Sequence, residues 1–113
     1  MDKIMKESVA TLFCHAIKLD DKDLKLEVPI FCRFMGQDFD CNTQEAKELL
    51  ERIMEQDCDN IDTHISIISN ALYNEPYKKM NILKQLNHII FRNKMKTEDY
   101  DFFDKVRQSF FTR

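Results

Sequence analysis

The sequence predicts an all-α fold, with about six to seven short helices arranged as two pseudo-repeated helix pairs in one domain over residues 1–113. Three observations carry that expectation. Glycine occurs once and proline twice, so few tight β-turns can form. Apolar residues recur at three- and four-residue spacing rather than in alternation. An apolar share of 43% over 113 residues is enough for one core and too little for two domains.

The helices follow in order. Met5, Val9, Leu12, Phe13, Ala16 and Ile17 share one face and give a first helix over residues 2–19. The acidic stretch LDDKDLKLEVP, residues 19–29, interrupts it. Ile30, Phe31, Phe34 and Met35 give a short second helix. Pro29 is tolerated only near a first turn, which places the start at Leu26, and Gly36 supplies a stop. A polar loop from Gln37 to Asn42 follows. Asn42 and Glu45 have capping-box spacing and open a third helix, with Ala46, Leu49, Leu50, Ile53 and Met54 on its apolar face.

After the break DCDN, Ile61, Ile65, Ile68, Ala71 and Leu72 mark a fourth helix, their spacing outweighing the strand preference of isoleucine. Pro76 suits the first position of a fifth helix, whose buried stripe is Met80, Leu83, Leu86 and Ile90, with Phe91 at its end. Thr97 caps a sixth helix, Glu98 and Asp99 place favourable charge in its first turn, and Phe102, Phe103, Val106 and Phe110 point inward.

Charge and composition exclude several function classes. A formal net charge of −3 argues against nonspecific nucleic-acid binding, which needs a basic surface. No apolar run approaches the roughly 18 residues of a membrane span. The N-terminal MDKIMKESVATLF mixes acids and bases with helical apolar spacing, unlike a secretory leader. Cys14, Cys32, Cys41 and Cys58 contain no CxxC, so reduced thiols in the cytoplasm are expected. A single glycine leaves no phosphate loop, dinucleotide fingerprint or GxSxG elbow, so no enzyme is read and no cofactor is required.

The first helix ending in AIKLDD, followed by Glu27 and Phe31, resembles the TerB-like family, which includes tellurite-resistance proteins and the N-terminal domain of some DnaJ-type co-chaperones. The family pattern is a helix, an Asp-Gly turn, a hydrophobic residue and an acid opening the next helix, repeated in a second half. In this chain Asp20 and Asp21 stand in the first turn with Glu27 as the opening acid. Arg92 and Asn93 stand in the second turn, with Met95 as the hydrophobe and Asp99 as the acid. Asp21 and Asn93 replace the family's glycines, and Arg92 replaces its second turn aspartate. The resemblance covers residues 4–110 and implies a helical stress-response or adaptor protein.

Several site chemistries are open to these residues. Asp20, Asp21, Asp23 and Glu27 offer hard oxygen donors suited to Ca²⁺ or Mg²⁺. The resemblance adds Asp99, so Asp20, Asp21, Glu27 and Asp99 form the candidate cation set. The bland alternative is a solvated turn whose acids favour a helix N-terminus. An EF-hand fails, because counting from Asp21 puts Leu26 where glycine is needed and Cys32 where glutamate is needed. Cys14 and His15 are adjacent and diverge by about 100° on a helix, which disfavours a zinc site. Cys41 and Cys58 lie among acids, which raise a thiol's pKa. Nine phenylalanines and six methionines leave some apolar residues for a protein partner or a homodimer, with Phe39, Phe110 and Phe111 as candidates. The alternatives to a partner-binding helical protein are an unrelated helical regulatory or structural protein and a metal-dependent hydrolase.

Overall fold

The computed structural model describes residues 3–19, 24–56, 60–91 and 97–111. They form six α-helices: α1 (Lys3–Leu19), α2 (Leu24–Phe39), α3 (Thr43–Glu55), α4 (Ile61–Ala71), α5 (Pro76–Ile90) and α6 (Thr97–Phe111). Among the described residues there is no strand. The all-α expectation therefore holds.

The first helix organises the rest. From Ser8 to Ile17 every residue except His15 is buried. A helix that is apolar or small on nearly all sides belongs at a core centre, and α1 contacts each of the other five helices. Ser8, Ala10, Thr11 and Ala16 let neighbouring backbones approach, while Leu12, Phe13 and Ile17 fill the gaps between them. Phe13 packs on Phe34 of α2 with ring centroids 5.9 Å apart. All six helices contribute to one hydrophobic cluster. The radius of gyration, 13.0 Å, matches the roughly 13 Å of a compact 100-residue domain.

Local signals explain most boundaries. The Asn42 side chain accepts from the Glu45 amide at 2.8 Å, and the Glu45 carboxylate accepts from the Asn42 amide at 3.3 Å, completing the expected capping box. Pro76 opens α5, where its missing N–H costs nothing.

The second helix departs from expectation at both ends. It begins at Leu24 rather than Leu26, so Pro29 lies inside it. It also runs through Gly36 and ends at Phe39, turning the first half of the expected Gln37–Asn42 loop into helix. The stop comes from Asp40, whose φ of 58° lies in the left-handed region. The Cys41 amide then donates back to the Met35 carbonyl at 3.4 Å. Gly36 serves a different purpose. A β-carbon there would stand 3.3 Å from the Cys41 carbonyl, so the bare α-carbon lets the returning chain pass close.

In α5 the inward residues are Lys79, Ile82, Leu83, Gln85, Leu86, Ile89 and Ile90. Met80, expected inside, is 45% exposed. Ala71, expected on the inner face of α4, is also exposed.

Candidate functional site

The candidate cation residues divide in two. Asp20 and Asp21 lie outside the described residues, as do Arg92, Asn93, Met95 and Cys58. Glu27 and Asp99 sit in the first turns of α2 and α6. Both are buried, at 1% and 0% exposure, rather than solvated, and both engage other groups. A first-turn position offsets part of the cost of burying a carboxylate, because the positive helix end faces it. Among the described residues no group of three or more His, Cys, Asp or Glu side chains is gathered to hold a metal.

The three aromatic candidates are also separated. Phe39 is the last residue of α2 and packs half-buried against the core. Phe110 is only 3% exposed, which corrects its candidacy as a surface residue. Its place is the inner face of α6, set by the 102–106–110 spacing. Phe111 is 45% exposed.

Phe111 belongs to a groove of about 380 Å³ between the outer faces of α5 and α6. Met80, Leu83 and Lys84 line it from α5, and Phe103, Arg107 and Phe111 line it from α6. At the end nearest the α5–α6 connection the Phe91 ring stands 5.6 Å from both Tyr100 and Phe103. Tyr77, in the first turn of α5, is 89% exposed. Lys84 has no carboxylate partner among the described residues, and Arg107 reaches Asp104 only at 3.5 Å. The arrangement can hold an apolar ridge and meet negative charge on both walls.

A second cavity, about 580 Å³, opens where the end of α4, the start of α5 and the end of α6 meet. Ser69 donates from Oγ to the Ser109 carbonyl at 2.8 Å, and Lys79 donates from Nζ to the Phe110 carbonyl at 2.7 Å. The same ammonium lies 5.8 Å from the centre of the Phe111 ring. These bonds satisfy carbonyls that a helix C-terminus leaves open, so this polar wall has a structural purpose.

One pairing had no sequence signal. Ser8 Oγ and His64 Nδ1 are 3.0 Å apart although the residues are 56 positions apart in the chain. A serine nucleophile needs an oriented base and an oxyanion hole. Ser8 is 1% exposed in the middle of α1, so the contact acts as a buried polar tie between α1 and α4.

The thiols are quiet. Cys14 is buried, and burial pushes the half-buried Cys32 and Cys41 above the ordinary thiol range. For Cys41 the acids Glu45 and Asp40 add to that rise while Lys6 opposes it. Burial thus outweighs the acidic surroundings that the sequence emphasised. His15 moves the other way. Its ring lies 4.6 Å from Phe102, and burial, with help from Lys105 and Lys18 and against Asp62, holds its pKa below the ordinary value.

No protein-family model, curated protein or solved structure matches the chain. Among the described residues no helix is long and apolar enough to cross a membrane.

Proposed function

We propose that this chain is a small non-enzymatic helical protein that works by docking another protein in the groove between α5 and α6. The observation that carries this reading is the exposure of Met80 and Phe111 beside Phe103 on the outer walls of two packed helices. Apolar side chains grouped outside a core that is already filled mark a contact surface.

A TerB-like stress-response or adaptor role is the biological setting we infer. Its support is the repeated placement of an acid in the first turn of a helix with phenylalanine four residues on, Glu27 with Phe31 and Asp99 with Phe103. The two-half symmetry and weak binding of Ca²⁺ or Mg²⁺ at the acidic turn belong to the same proposal. The thiols of Cys32 and Cys41, neither of them in a disulfide, support a reducing, cytoplasmic location.

Affinity capture with the wild type and with a Met80→Lys, Phe111→Lys variant tests the docking reading. A captured protein is then purified and rebound. Rebinding to the wild type and loss with the variant is the expected result. Equal rebinding to both overturns it. Calorimetric titration with Ca²⁺ and Mg²⁺ tests the cation, and the absence of heat removes it from the proposal.

A further inference from the structure

We infer that the groove between α5 and α6 takes an acidic amphipathic helix from a partner protein, a conclusion that rests on the docking reading above. Three features select that occupant. The first is the charge of the walls. Lys84 and Arg107 face the groove from opposite sides in a chain whose formal net charge is −3. A second copy laid groove to groove would set these cations against their own equivalents, a like-charge contact that disfavours the symmetric dimer. An occupant with acids on both flanks pairs with both.

The second feature is backbone chemistry. Both walls are α-helices whose internal amides and carbonyls are bonded within the helix. They offer no edge for an added strand, so the recognition mode left for a folded segment is a helix laid in a groove.

The third feature is length. Met80 to Asn87 on one wall and Phe103 to Phe111 on the other each span about two helical turns, or roughly 10–12 Å at 1.5 Å per residue. A partner helix covers that distance with apolar anchors at i, i+3 or i+4, and i+7. Leu83, only 4% exposed, forms the floor on which the middle anchor rests.

The test uses the full chain and four synthetic 18-residue peptides. Three share one apolar helical face and carry glutamate, glutamine or lysine on the flanks. The fourth is the glutamate peptide with its order scrambled. Amide chemical-shift changes locate the site, and fluorescence anisotropy measures affinity at low and high salt.

The glutamate peptide should shift groove amides and bind about tenfold tighter than the glutamine peptide, the equivalent of about 1.4 kcal/mol. Added salt should erode that advantage. The exposed charge reversal Lys84→Glu, Arg107→Glu should transfer the preference to the lysine peptide. Groove binding with equal affinity for all three flanks overturns the acidic partner and leaves the docking groove standing. Binding by none of them at the groove overturns both. A scrambled peptide that binds as well as the ordered one overturns helix recognition. A concentration-dependent dimer that buries the groove, seen by light scattering, replaces the partner with a second copy.

Discussion

Lys79 donates from its ammonium to the backbone carbonyl of Phe110 across 2.7 Å, joining the first turns of α5 to the last turn of α6. The side chain is 7% exposed, and the residues are 31 positions apart. A cation at a helix C-terminus also meets the negative end of the helix dipole.

Replacing that ammonium isolates its contribution. Lys79→Met keeps the apolar stem and deletes the donor, leaving the Phe110 carbonyl to seek water. The expected loss is about 1.5–3 kcal/mol, the range for a hydrogen bond with a charged partner. Urea unfolding of the two proteins measures it. A variant as stable as the wild type would show that the carbonyl is satisfied equally well without Lys79.

Lys79 also shows where sequence reasoning stops. The capping box at Asn42 and Glu45 and the proline start of α5 are local features, and both are visible in a few residues. The central position of α1 follows from a helix with almost no polar side. By contrast, the α5 stripe admits two registers that differ by one residue at its start. One begins with Met80 and the other with Lys79, and hydrophobicity chooses methionine. The structure chooses lysine because the Phe110 carbonyl, supplied by a distant helix, compensates the buried charge. Glu27 and Asp99 escaped the same rule, being acids that burial makes part of the interior. The groove is half legible: Phe111 stands out in the sequence, whereas the spacing of its partner Met80 reads as core.

Asp40 ends α2 with a φ of 58°, a conformation that glycine adopts without a steric cost. Asp40→Gly should raise stability by about 0.5–1 kcal/mol, after allowing for the greater freedom glycine gives the unfolded chain. Thermal melting with an unchanged circular dichroism spectrum tests the gain. A lower melting temperature would mean that the Asp40 side chain stabilises the turn more than its backbone strains it.

Acid should weaken the fold in two stages. His15 has a folded pKa below its ordinary 6.5, chiefly from burial. As pH falls below 6.5 the unfolded chain takes up this proton before the folded one, so stability present above that value is lost down to the folded pKa. Glu7 contributes a second loss. The hydrogen bond from Arg52, 2.6 Å long, holds its carboxyl below the ordinary 4.5, and that stabilisation disappears as pH falls through and below this value. The pair is partly exposed, so its share is about 0.2–1 kcal/mol. Denaturant unfolding at pH 7.5 and 5.5 checks the first stage. The wild type should lose stability between them, and His15→Phe should lose less. Equal losses would remove His15 from the account.

Phe13 lies at 0% exposure on the helix that touches all the others, against Phe34. Phe13→Ala should cost about 3–5 kcal/mol through lost burial and a cavity between α1 and α2. That is a large share of the roughly 5–15 kcal/mol typical of a domain. A loss under about 1 kcal/mol, the usual scale of a surface change, would mean the core closes over the gap or that Phe13 is not central.

Met80 gives the sharpest separation between periodicity and packing. The spacing Met80, Leu83, Leu86, Ile90 is a regular inner stripe, and a lysine placed inside such a stripe would bury an unpaired charge. The structure leaves Met80 45% exposed at the mouth of the groove. Met80→Lys should therefore change stability by no more than about 0.5 kcal/mol, as surface substitutions do. The same change at Leu83, 4% exposed one turn further along, should destabilise the fold by several times that amount. Parallel urea titrations of the two variants compare them directly. Similar, large losses would return Met80 to the core and take the groove away with it, whereas a neutral Met80→Lys that abolishes peptide binding ties the exposed methionine to the docking surface.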